Sequence, residues 1–405
     1  MTMNRKSFLT SFAGAIGAAA LCDFSLPSLA EAQEKSRVPS KSTRIRDIEM
    51  FPYSLPMKEH FKVALSTEIG ADNILVRLRT EDGVIGYGEA SPYSPVTGET
   101  QQSDIPMGKS LEQFIKGKDA FSLARIVAEM ESFAPGNGSI KAAFEMALWD
   151  VCGKVTGQPV YHLLGAYRDS FETDLSVGID TPQVMAEKAR GVVQQGFKAV
   201  KIKVGEAPAL DIERIRAVRE AIGPKIQLRI DANQGWSPSD CVHVLRAVAE
   251  QQLQLCEQPV VYWDWAGLRF IRESVGTPIM VDESVHVAHD AIVGIRENAM
   301  DMINIKLMKC GGILQAVRIA HVADAANIKC MVGCMDETRV GLTAAAHVVA
   351  SQKNVEFADL DAFLFLATDP VIGGMEVRDG TVYMPQGPGL GLDVDPAFMA
   401  KLRAA

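Results

Sequence analysis

Cysteine is scarce in this sequence, and none of it has the spacing that a metal centre or a disulfide framework requires. Seven cysteines occur among 405 residues, and no two form a C-x-x-C pair. A chain of this length can bury enough apolar surface to fold without covalent cross-links. We therefore expect free thiols in the core at the six positions beyond the N-terminal region, which are Cys152, Cys241, Cys256, Cys310, Cys330 and Cys334.

Clustered histidine and an excess of positive charge are also missing. The seven histidines are scattered along the chain, at His60, His162, His243, His286, His289, His321 and His347. This spacing argues against a metal site built on histidine. Lysine and arginine number 41 against 50 aspartates and glutamates, which gives a net charge of -9. An acidic balance of this size argues against nucleic acid as the main partner.

Long hydrophobic runs are confined to the N-terminus. Arg5 and Lys6 precede the apolar run FAGAIGAAAL, and Ala30-Glu31-Ala32 has the form of a cleavage site. This arrangement predicts an export signal over residues 1–32, similar to a twin-arginine signal, followed by a polar linker over 33–43. We expect a periplasmic protein without stable membrane insertion. The alternative is a cytoplasmic protein with an apolar tail.

The rest of the chain is dominated by one repeating pattern. After about residue 170, short apolar runs alternate with amphipathic helical stretches at an interval of about 25 residues. The eight apolar runs are LSVGI, AVKIKV, LRIDAN, LCEQPV, IMVDES, INIKLM, CMVGCM and VEFADLD. Eight strand-plus-helix units predict a closed β/α barrel over residues 166–370. The preceding residues 44–165 have a mixed α+β pattern, and we expect residues 371–405 to return to that region.

Charged residues stand near the C-terminal ends of the central strands, where barrel enzymes carry their active sites. Asp231, Glu257 and Asp282 end three successive strands, and lysines lie on the flanking strands. Three carboxylates in one buried site require a cation, and oxygen ligands favour Mg²⁺ or Mn²⁺. Such a metal would stabilise the enediolate of a carboxylate substrate, and Lys203 and Lys306 could serve as bases on its two faces.

Each of these residues also has an ordinary structural interpretation. A single aspartate at the end of a strand is usually the N-cap of the next helix, and a single lysine usually extends its ammonium group to solvent. Three acids on consecutive strands, with lysines on both flanks, are much harder to explain in this way. The joint pattern therefore favours a catalytic site.

The same residues resemble the motifs of the enolase superfamily, in particular its muconate lactonizing enzyme subgroup. The similar segments are KIKVG, RIDANQGW, EQPV, VDES and INIKLMKCGG. The resemblance implies a modified TIM barrel, (β/α)7β, with an N-terminal capping domain. It also implies the following roles: Mg²⁺ ligands Asp231, Glu257 and Asp282; bases Lys203 and Lys306; a helper or structural Lys309; and Asn233 and Glu283 orienting the ligands. From the alternation along its strand, we expect Lys201 behind Lys203, where it lowers the pKa of that lysine or contacts the substrate carboxylate.

Within that subgroup the sequence is most similar to the dipeptide epimerases, among them L-Ala-D/L-Glu epimerase. These enzymes carry an Asp-x-Asp motif on the eighth strand, and Asp359 and Asp361 match it. Two carboxylates on one side of a strand can bind the ammonium group of a dipeptide. The resemblance therefore implies inversion of the α-carbon of the second residue by proton transfer between the two lysines.

Two positions depart from the L-Ala-D/L-Glu enzymes. Ser66 stands where those enzymes have an arginine for the glutamate side chain, and Asp336 stands at an apolar position. We therefore expect substrates other than Ala-Glu, with a neutral or basic second residue, although Asp336 could equally be an exposed loop residue. The turn-rich segments 60–69 and 91–98 are the predicted substrate-selecting loops.

Three alternatives stay open. An N-acylamino acid racemase, an o-succinylbenzoate synthase or a cycloisomerase would use the same lysines, but an N-acyl substrate has no ammonium group for Asp359 and Asp361. A sugar-acid dehydratase would need a histidine on the seventh strand, where this chain has Cys330 and Cys334. A metal-bearing binding protein would not need a lysine on each face. A homo-oligomer is compatible with the family.

Overall fold

The computed structural model describes residues 42–405. The predicted export signal, 1–32, and all but the last two residues of the predicted linker, 33–43, lie outside the described residues. Within 42–405, no helix combines the length and apolarity needed to cross a bilayer. The six cysteines of this part of the chain are buried and free, as predicted.

The N-terminal part is an antiparallel sheet packed against helices. Its strands are β1 (Ile45–Lys62), β2 (Thr67–Thr80) and β3 (Ile85–Ala90). Its helices are α1 (Gln101–Leu111), α2 (Leu123–Phe133) and α3 (Gly138–Thr156), with short helical turns at Ser94–Thr97 and Val160–Leu163. Glycine allows α3 to approach the sheet closely, because a Cβ at Gly88 would lie 1.9 Å from the carbonyl oxygen of Ala143.

The long β1–β2 hairpin corrects one expectation. Segment 60–69 was predicted as a loop, but β1 continues to Lys62 and β2 starts at Thr67. Phe61 pairs with Glu68 in the ladder, and the turn is closed by a 3.0 Å hydrogen bond from Val63 N to Ser66 O. Cross-strand partners extend to the same side of a sheet, so the hairpin presents Phe61 and Glu68 together.

The second part confirms the predicted (β/α)7β architecture. Its strands are β5 (Leu175–Val177), β6 (Ala199–Lys203), β7 (Gln227–Asp231), β8 (Leu255–Glu257), β9 (Ile279–Val281), β10 (Met302–Ile305), β11 (Lys329–Val332) and β12 (Val355–Ala358). Its main helices are α4 (Pro182–Gln194), α5 (Pro208–Ile222), α6 (Pro238–Ala247), α7 (Trp265–Ser274), α8 (Ala288–Arg296), α9 (Ile313–Ala325) and α10 (Arg339–Ser351), with a short helix at Leu307–Cys310. The strands are parallel and hydrogen-bonded in chain order, and they curl around a core of apolar side chains.

The first and last barrel strands meet without forming a ladder. Asp174 N donates a hydrogen bond to Ala358 O at 3.4 Å, and Leu360 N donates to Thr173 Oγ1 at 3.0 Å. The eighth strand ends at Ala358, three residues before the predicted end. Asp359 and Asp361 therefore lie in the turn that follows, because the chain bends into a helical turn at Asp361.

The C-terminal residues pack on both parts. The strands there are β13 (Val371–Gly373), β14 (Glu376–Arg378), β15 (Thr381–Tyr383) and β16 (Leu392–Val394), followed by a short helix at Pro396–Met399. β15 pairs with β4 (Ser170–Glu172), next to the first barrel strand. The ring of Phe398 packs edge-on to Tyr53 at 5.4 Å, and Ala405 N donates to Met50 O at 2.8 Å.

Candidate active site

Strand register aligns the predicted catalytic residues. In the parallel ladders, Lys203 is paired with Asp231, and Asp231 is paired with Glu257. Paired positions in a sheet extend to the same side, so these three side chains form a row across β6, β7 and β8. Asp282 directly follows β9, and Lys306 directly follows β10. The five residues are buried and converge at the C-terminal ends of the strands.

Lys203 and Lys306 line one cleft from strands that are four positions apart in the sheet order. In an eight-stranded barrel this separation places them on opposite sides. The Nζ of Lys203 lies 2.7 Å from Asp231 Oδ2, and the Nζ of Lys306 lies 2.9 Å from Asp282 Oδ2. Burial opposes the charged form of Lys306, but the carboxylates of Asp282 and Glu257 hold its pKa well above the usual range.

Lys201 lies behind Lys203, as predicted. Its side chain is fully buried beneath the cleft, and its Nζ is 2.8 Å from Glu257 Oε2, 2.8 Å from Asp359 Oδ2 and 3.2 Å from Asp231 Oδ2. This position corrects the expectation of a substrate contact, because three carboxylates surround the ammonium group. Lys201 instead joins the two acidic groups of the site through one positive charge.

The three carboxylates on β7, β8 and β9 suit a hard cation. All three are completely buried, and they offer only oxygen donors. Glu257 Oε2 and Asp282 Oδ2 contact lysine ammonium groups without hydrogen-bond geometry, and Glu283 Oε2 has no hydrogen-bond partner among the described residues. Buried oxygens of this kind need a compensating charge, and Mg²⁺ meets that need.

Neighbouring residues hold these carboxylates in orientation. Asn233 donates from its backbone N to Asp231 Oδ1 at 2.9 Å and from Nδ2 to Glu283 Oε1 at 3.3 Å. Lys309 is buried, and its Nζ contacts Asp282 Oδ1 at 2.5 Å and Asn304 O at 3.1 Å. Asn233, Glu283 and Lys309 therefore lie where they can support the predicted ligands.

A second acidic group is formed by Asp359 and Asp361. One carboxylate oxygen of each and the Sγ of Cys334 lie within 4.8 Å of one another. Burial and the neighbouring Asp359 raise the pKa of Asp361 to about 7. Burial opposes ionisation of Asp359 as well, but Lys201 and Lys203 hold its pKa below the usual range. One charged and one readily charged carboxyl group suit an ammonium ligand better than a metal, because Lys201 already neutralises one of them.

The wall of the cleft opposite the barrel is mainly apolar. The cleft encloses about 640 Å³, including space open to solvent. The β1–β2 hairpin and the segments 93–96 and 362–365 supply this wall. Its apolar members are Met57, Phe61, Val63, Val96, Ala362 and Phe365.

Two acidic side chains interrupt this apolar wall. Glu68 and Asp336 both line the cleft, and burial together with the charge of Glu68 raises the pKa of Asp336 to about 7. Neither residue forms an ion pair with a basic side chain of the described chain. Asp336 is half-buried at the cleft, which rules out the exposed-loop interpretation. Ser66 does not line the cleft itself. Its Oγ contacts Glu68 and lies 2.5 Å from the hydroxyl oxygen of Tyr93, and both of these residues line the cleft.

The N-terminal sheet fixes the segment that carries Asp336. Asn73 Nδ2 donates to the backbone oxygen of Asp336 at 3.0 Å. Buried Glu89 accepts hydrogen bonds from Thr338 N at 3.1 Å and Gly341 N at 2.8 Å, at the start of α10. Tyr53 donates to the same carboxylate at 2.5 Å. The sheet therefore holds one edge of the cleft through a buried carboxylate.

Several cleft residues were missed from the sequence. Glu68, Tyr93, Phe61 and Phe365 were not predicted individually, although the first three fall within the segments proposed for substrate selection. The ladder pairing of Phe61 with Glu68 would have identified two of them, but it depends on a hairpin that the turn-rich composition concealed.

Comparison with known proteins places this site in a family. The sequence matches Enolase C-terminal domain-like over residues 184–398 and Mandelate racemase / muconate lactonizing enzyme, N-terminal domain, over residues 46–165. It is 43% identical to a hydrophobic dipeptide epimerase of Enterococcus faecalis, over 83% of this chain and 95% of that protein. It is 41% identical to an L-Ala-D/L-Glu epimerase of Bacillus subtilis, over 86% of this chain and 96% of that protein.

Solved structures of dipeptide epimerases are also similar to this chain. The dipeptide epimerase of Cytophaga hutchinsonii, complexed with Mg and the dipeptide D-Ala-L-Val, matches with a TM-score of 0.87 at 36% identity, covering 89% of this chain and 99% of that one. The predicted bases and the three predicted metal ligands all fall within the range of the C-terminal match. The chain belongs to the mandelate racemase/muconate lactonizing enzyme family of the enolase superfamily.

Proposed function

We propose that this protein is a magnesium-dependent dipeptide epimerase that inverts the α-carbon of the second residue. One observation carries the proposal: a single cleft contains Lys203 and Lys306 on opposite sides and the carboxyl pair Asp359 and Asp361 beside them. The lysines serve proton transfer at a carbon atom, and the carboxyl pair serves an ammonium group. The relatives described above act on dipeptides, which supports the same class of substrate.

The dipeptide is bound at its two charged ends. Asp359 and Asp361 accept hydrogen bonds from the terminal ammonium group, and Cys334 closes the side of that site. Asp231, Glu257 and Asp282 would hold Mg²⁺, as the Mg in related structures supports, and Mn²⁺ would substitute because it prefers the same ligands. When bound, the metal supplies the positive charge that stabilises the carboxylate end of the substrate as its α-hydrogen becomes acidic.

Proton transfer is the task of the two lysines. The neutral Nζ of one lysine accepts the α-proton from one face of the second residue. Asp282 and Glu257, which raise the pKa of Lys306, are among the residues that would hold the metal, and a cation there would favour the neutral lysine. The ammonium Nζ of the other lysine then donates a proton to the opposite face. The configuration is inverted, and the two lysines have exchanged protonation states, so the reverse reaction uses the same pair in opposite roles. The apolar wall from the hairpin excludes water from this exchange.

The second side chain faces acidic rather than basic groups. Glu68 and Asp336 would repel a glutamate side chain, and Ser66 offers no positive charge to bind it. The apolar residues around them would accept an aliphatic chain. We therefore propose neutral or basic second residues, with Ala-Glu as a poor substrate.

Isotope exchange tests the reaction. Each member of a dipeptide library is incubated with the enzyme and Mg²⁺ in D₂O, and its mass is followed by mass spectrometry. A gain of one deuterium together with inversion at the second residue is expected for neutral and basic dipeptides. N-acyl amino acids are included, because an N-acylamino acid racemase would label those instead. The absence of label from every dipeptide would refute the epimerase proposal, and a large preference for Ala-Glu would refute the proposed specificity.

We also propose export to the periplasm, where peptides released by cell-wall turnover would supply substrate. The support lies in the N-terminal pattern of Arg5, Lys6 and the apolar run that follows. Fractionation of cells and N-terminal sequencing of the mature protein test it. A mature N-terminus near residue 33 is expected, and an uncleaved chain in the cytoplasm would contradict export.

A further inference from the structure

A second groove adjoins the active-site cleft. The two spaces are separated by a partition that consists of the side chains of Phe61 and Phe365. The groove encloses about 1050 Å³, including space open to solvent, and is bounded by β1, the segment 175–180 and α4. It shares only three lining residues with the cleft, namely Phe61, Ser176 and Phe365. The rings of Phe61 and Phe365 lie against each other, with centroids 4.8 Å apart and planes inclined at 44°.

Backbone hydrogen bonds hold both rings in place. Lys58 N donates to Phe365 O at 2.8 Å, and Lys58 Nζ donates to Leu364 O at 2.8 Å. Ala367 N donates to Pro56 O at 2.8 Å. The strand that carries Phe61 is thus joined to the segment that carries Phe365, directly after the Asp-x-Asp turn. The partition is therefore a fixed wall of the cleft.

The partition stands beside the ammonium site. Ser176 lines both spaces, and its backbone N donates to Asp361 Oδ2 at 2.7 Å. In a dipeptide, the terminal ammonium group and the side chain of the first residue are bonded to the same carbon atom. When Asp359 and Asp361 bind the ammonium group, this side chain lies close to them. Phe61 and Phe365 line the same cleft as these carboxyl groups, so we infer that the side chain lies against the two rings.

The groove behind the partition suits an apolar side chain. Its apolar lining comprises Leu175, Val177, Ile179, Val192 and Leu364. Its charged side chains are largely paired, since Lys188 Nζ lies 3.0 Å from Glu59 Oε2 and Lys62 Nζ lies 2.5 Å from Glu206 Oε1. The two remaining charged residues of the lining, Lys58 and Asp180, are of opposite sign, so the groove carries no large net charge.

We propose that the Phe61–Phe365 pair sets the size limit for the first residue of the substrate, by closing the cleft against this groove. The proposal rests on the proposed function, and it concerns the first residue rather than the second. In the wild-type enzyme, small first residues fit and large aromatic ones do not. Removing either ring joins the two spaces and admits a large apolar first residue, while the ammonium group keeps its place at Asp359 and Asp361.

The test compares Ala-Leu with Trp-Leu, so that only the first residue changes. The ratio of kcat/KM for Trp-Leu to that for Ala-Leu is measured for the wild type, Phe61→Ala and Phe365→Ala. We expect this ratio to rise about tenfold or more in both variants, which corresponds to about 1.4 kcal/mol.

Val96→Ala is the matched control. Val96 lines the same cleft but not the groove, so this variant also removes apolar volume, yet its Trp-Leu to Ala-Leu ratio should change less than twofold. Phe61→Leu keeps an apolar side chain at the hairpin and should give an intermediate ratio even if Phe61→Ala folds poorly. An unchanged ratio in the folded Phe61 and Phe365 variants would overturn the size limit while leaving the epimerase intact. A wild type that labels no dipeptide would overturn both.

Discussion

Lys203 and Lys306 can be distinguished by the epimer on which each acts. Each Nζ reaches the α-hydrogen only from its own side of the cleft. We expect Lys203→Ala and Lys306→Ala each to lose epimerisation by about a thousandfold, within the usual contribution of a positioned base. Each variant should still exchange the α-hydrogen of one epimer, and the two variants should act on opposite epimers. Proton NMR of L,L and L,D dipeptides in D₂O measures both properties.

The control for this experiment is Lys198→Ala. Lys198 is exposed and pairs with Glu172 at the surface, so its removal should leave both activities unchanged. Exchange of both epimers at wild-type rate by either active-site variant would contradict the two-base assignment.

Asp336 should make the substrate preference depend on pH. Burial and Glu68 raise its pKa to about 7, so its carboxyl group is largely neutral at pH 6 and largely charged at pH 8. A charged Asp336 attracts a lysine side chain on the substrate. We therefore expect the ratio of kcat/KM for Ala-Lys to that for Ala-Leu to rise with pH across this interval. Asp336→Asn should lower the ratio about tenfold at pH 8 and flatten its pH profile.

Asp324→Asn serves as the control, because Asp324 is exposed and lines neither the cleft nor the adjoining groove. A pH-dependent ratio that persists in Asp336→Asn would assign the effect to another group. The same measurement on Glu68→Gln would reveal whether Glu68 shares the role, because removing its charge should shift the rise in the ratio to lower pH.

At the scale of elements, Glu89 joins β3 to the start of α10. Its carboxylate accepts hydrogen bonds from Tyr53, Asn73, Thr338 and Gly341. Glu89→Gln turns an amide N–H toward these donors and leaves buried partners unsatisfied, so it should lower the free energy of unfolding by about 2 kcal/mol. Urea unfolding measures this loss. Exposed Glu81→Gln should change stability by less than about 0.5 kcal/mol, and equal stability of the two variants would contradict the role of Glu89.

The strands of the barrel could be predicted because short apolar runs recur at a regular interval, and those in the middle of the barrel end at a charged residue. Asp231, Glu257 and Lys306 were therefore assigned to the correct end of the sheet. Alternation along β6 predicts that Lys201 and Lys203 share one side, with Lys201 behind, but it does not decide between a contact with the substrate and contacts with buried carboxylates. Only the surrounding carboxylates determine that Lys201 stays below.

The hairpin and the Asp-x-Asp turn were harder to predict from the sequence, for a related reason. Segment 60–69 contains turn-forming residues, yet pairing between β1 and β2 continues through most of it, because the long ladder is stabilised over many preceding rungs. Asp359 and Asp361 converge although the strand ends before them, because the backbone bends at Asp361. Contacts between distant segments decide both features, and no local pattern encodes them.

At the scale of the whole molecule, buried carboxyl groups should make stability fall as pH rises. Asp104, on α1, is completely buried, and neither of its oxygens has a hydrogen-bond partner among the described residues. Burial and the neighbouring Glu99 raise its pKa from 3.8 to about 8. Between these two values the folded protein keeps a proton that the unfolded chain has released. The contribution of the Asp104 proton to the free energy of unfolding is therefore fully present below about pH 4 and lost by about pH 8.

Asp104→Asn should remove this dependence. An amide carries no charge at any of these pH values, so the variant should exceed the wild type in free energy of unfolding by at least about 1 kcal/mol at pH 8.5 and by much less at pH 5. Denaturant unfolding at pH 5, 7 and 8.5 gives the comparison, with exposed Asp324→Asn as the control. If Asp104→Asn and Asp324→Asn differed from the wild type by the same free energy of unfolding at all three pH values, the proton on Asp104 would not contribute to stability. The expected divergence would instead show that the N-terminal part is stabilised by an acid that must stay neutral, so alkaline conditions would weaken the packing of α1.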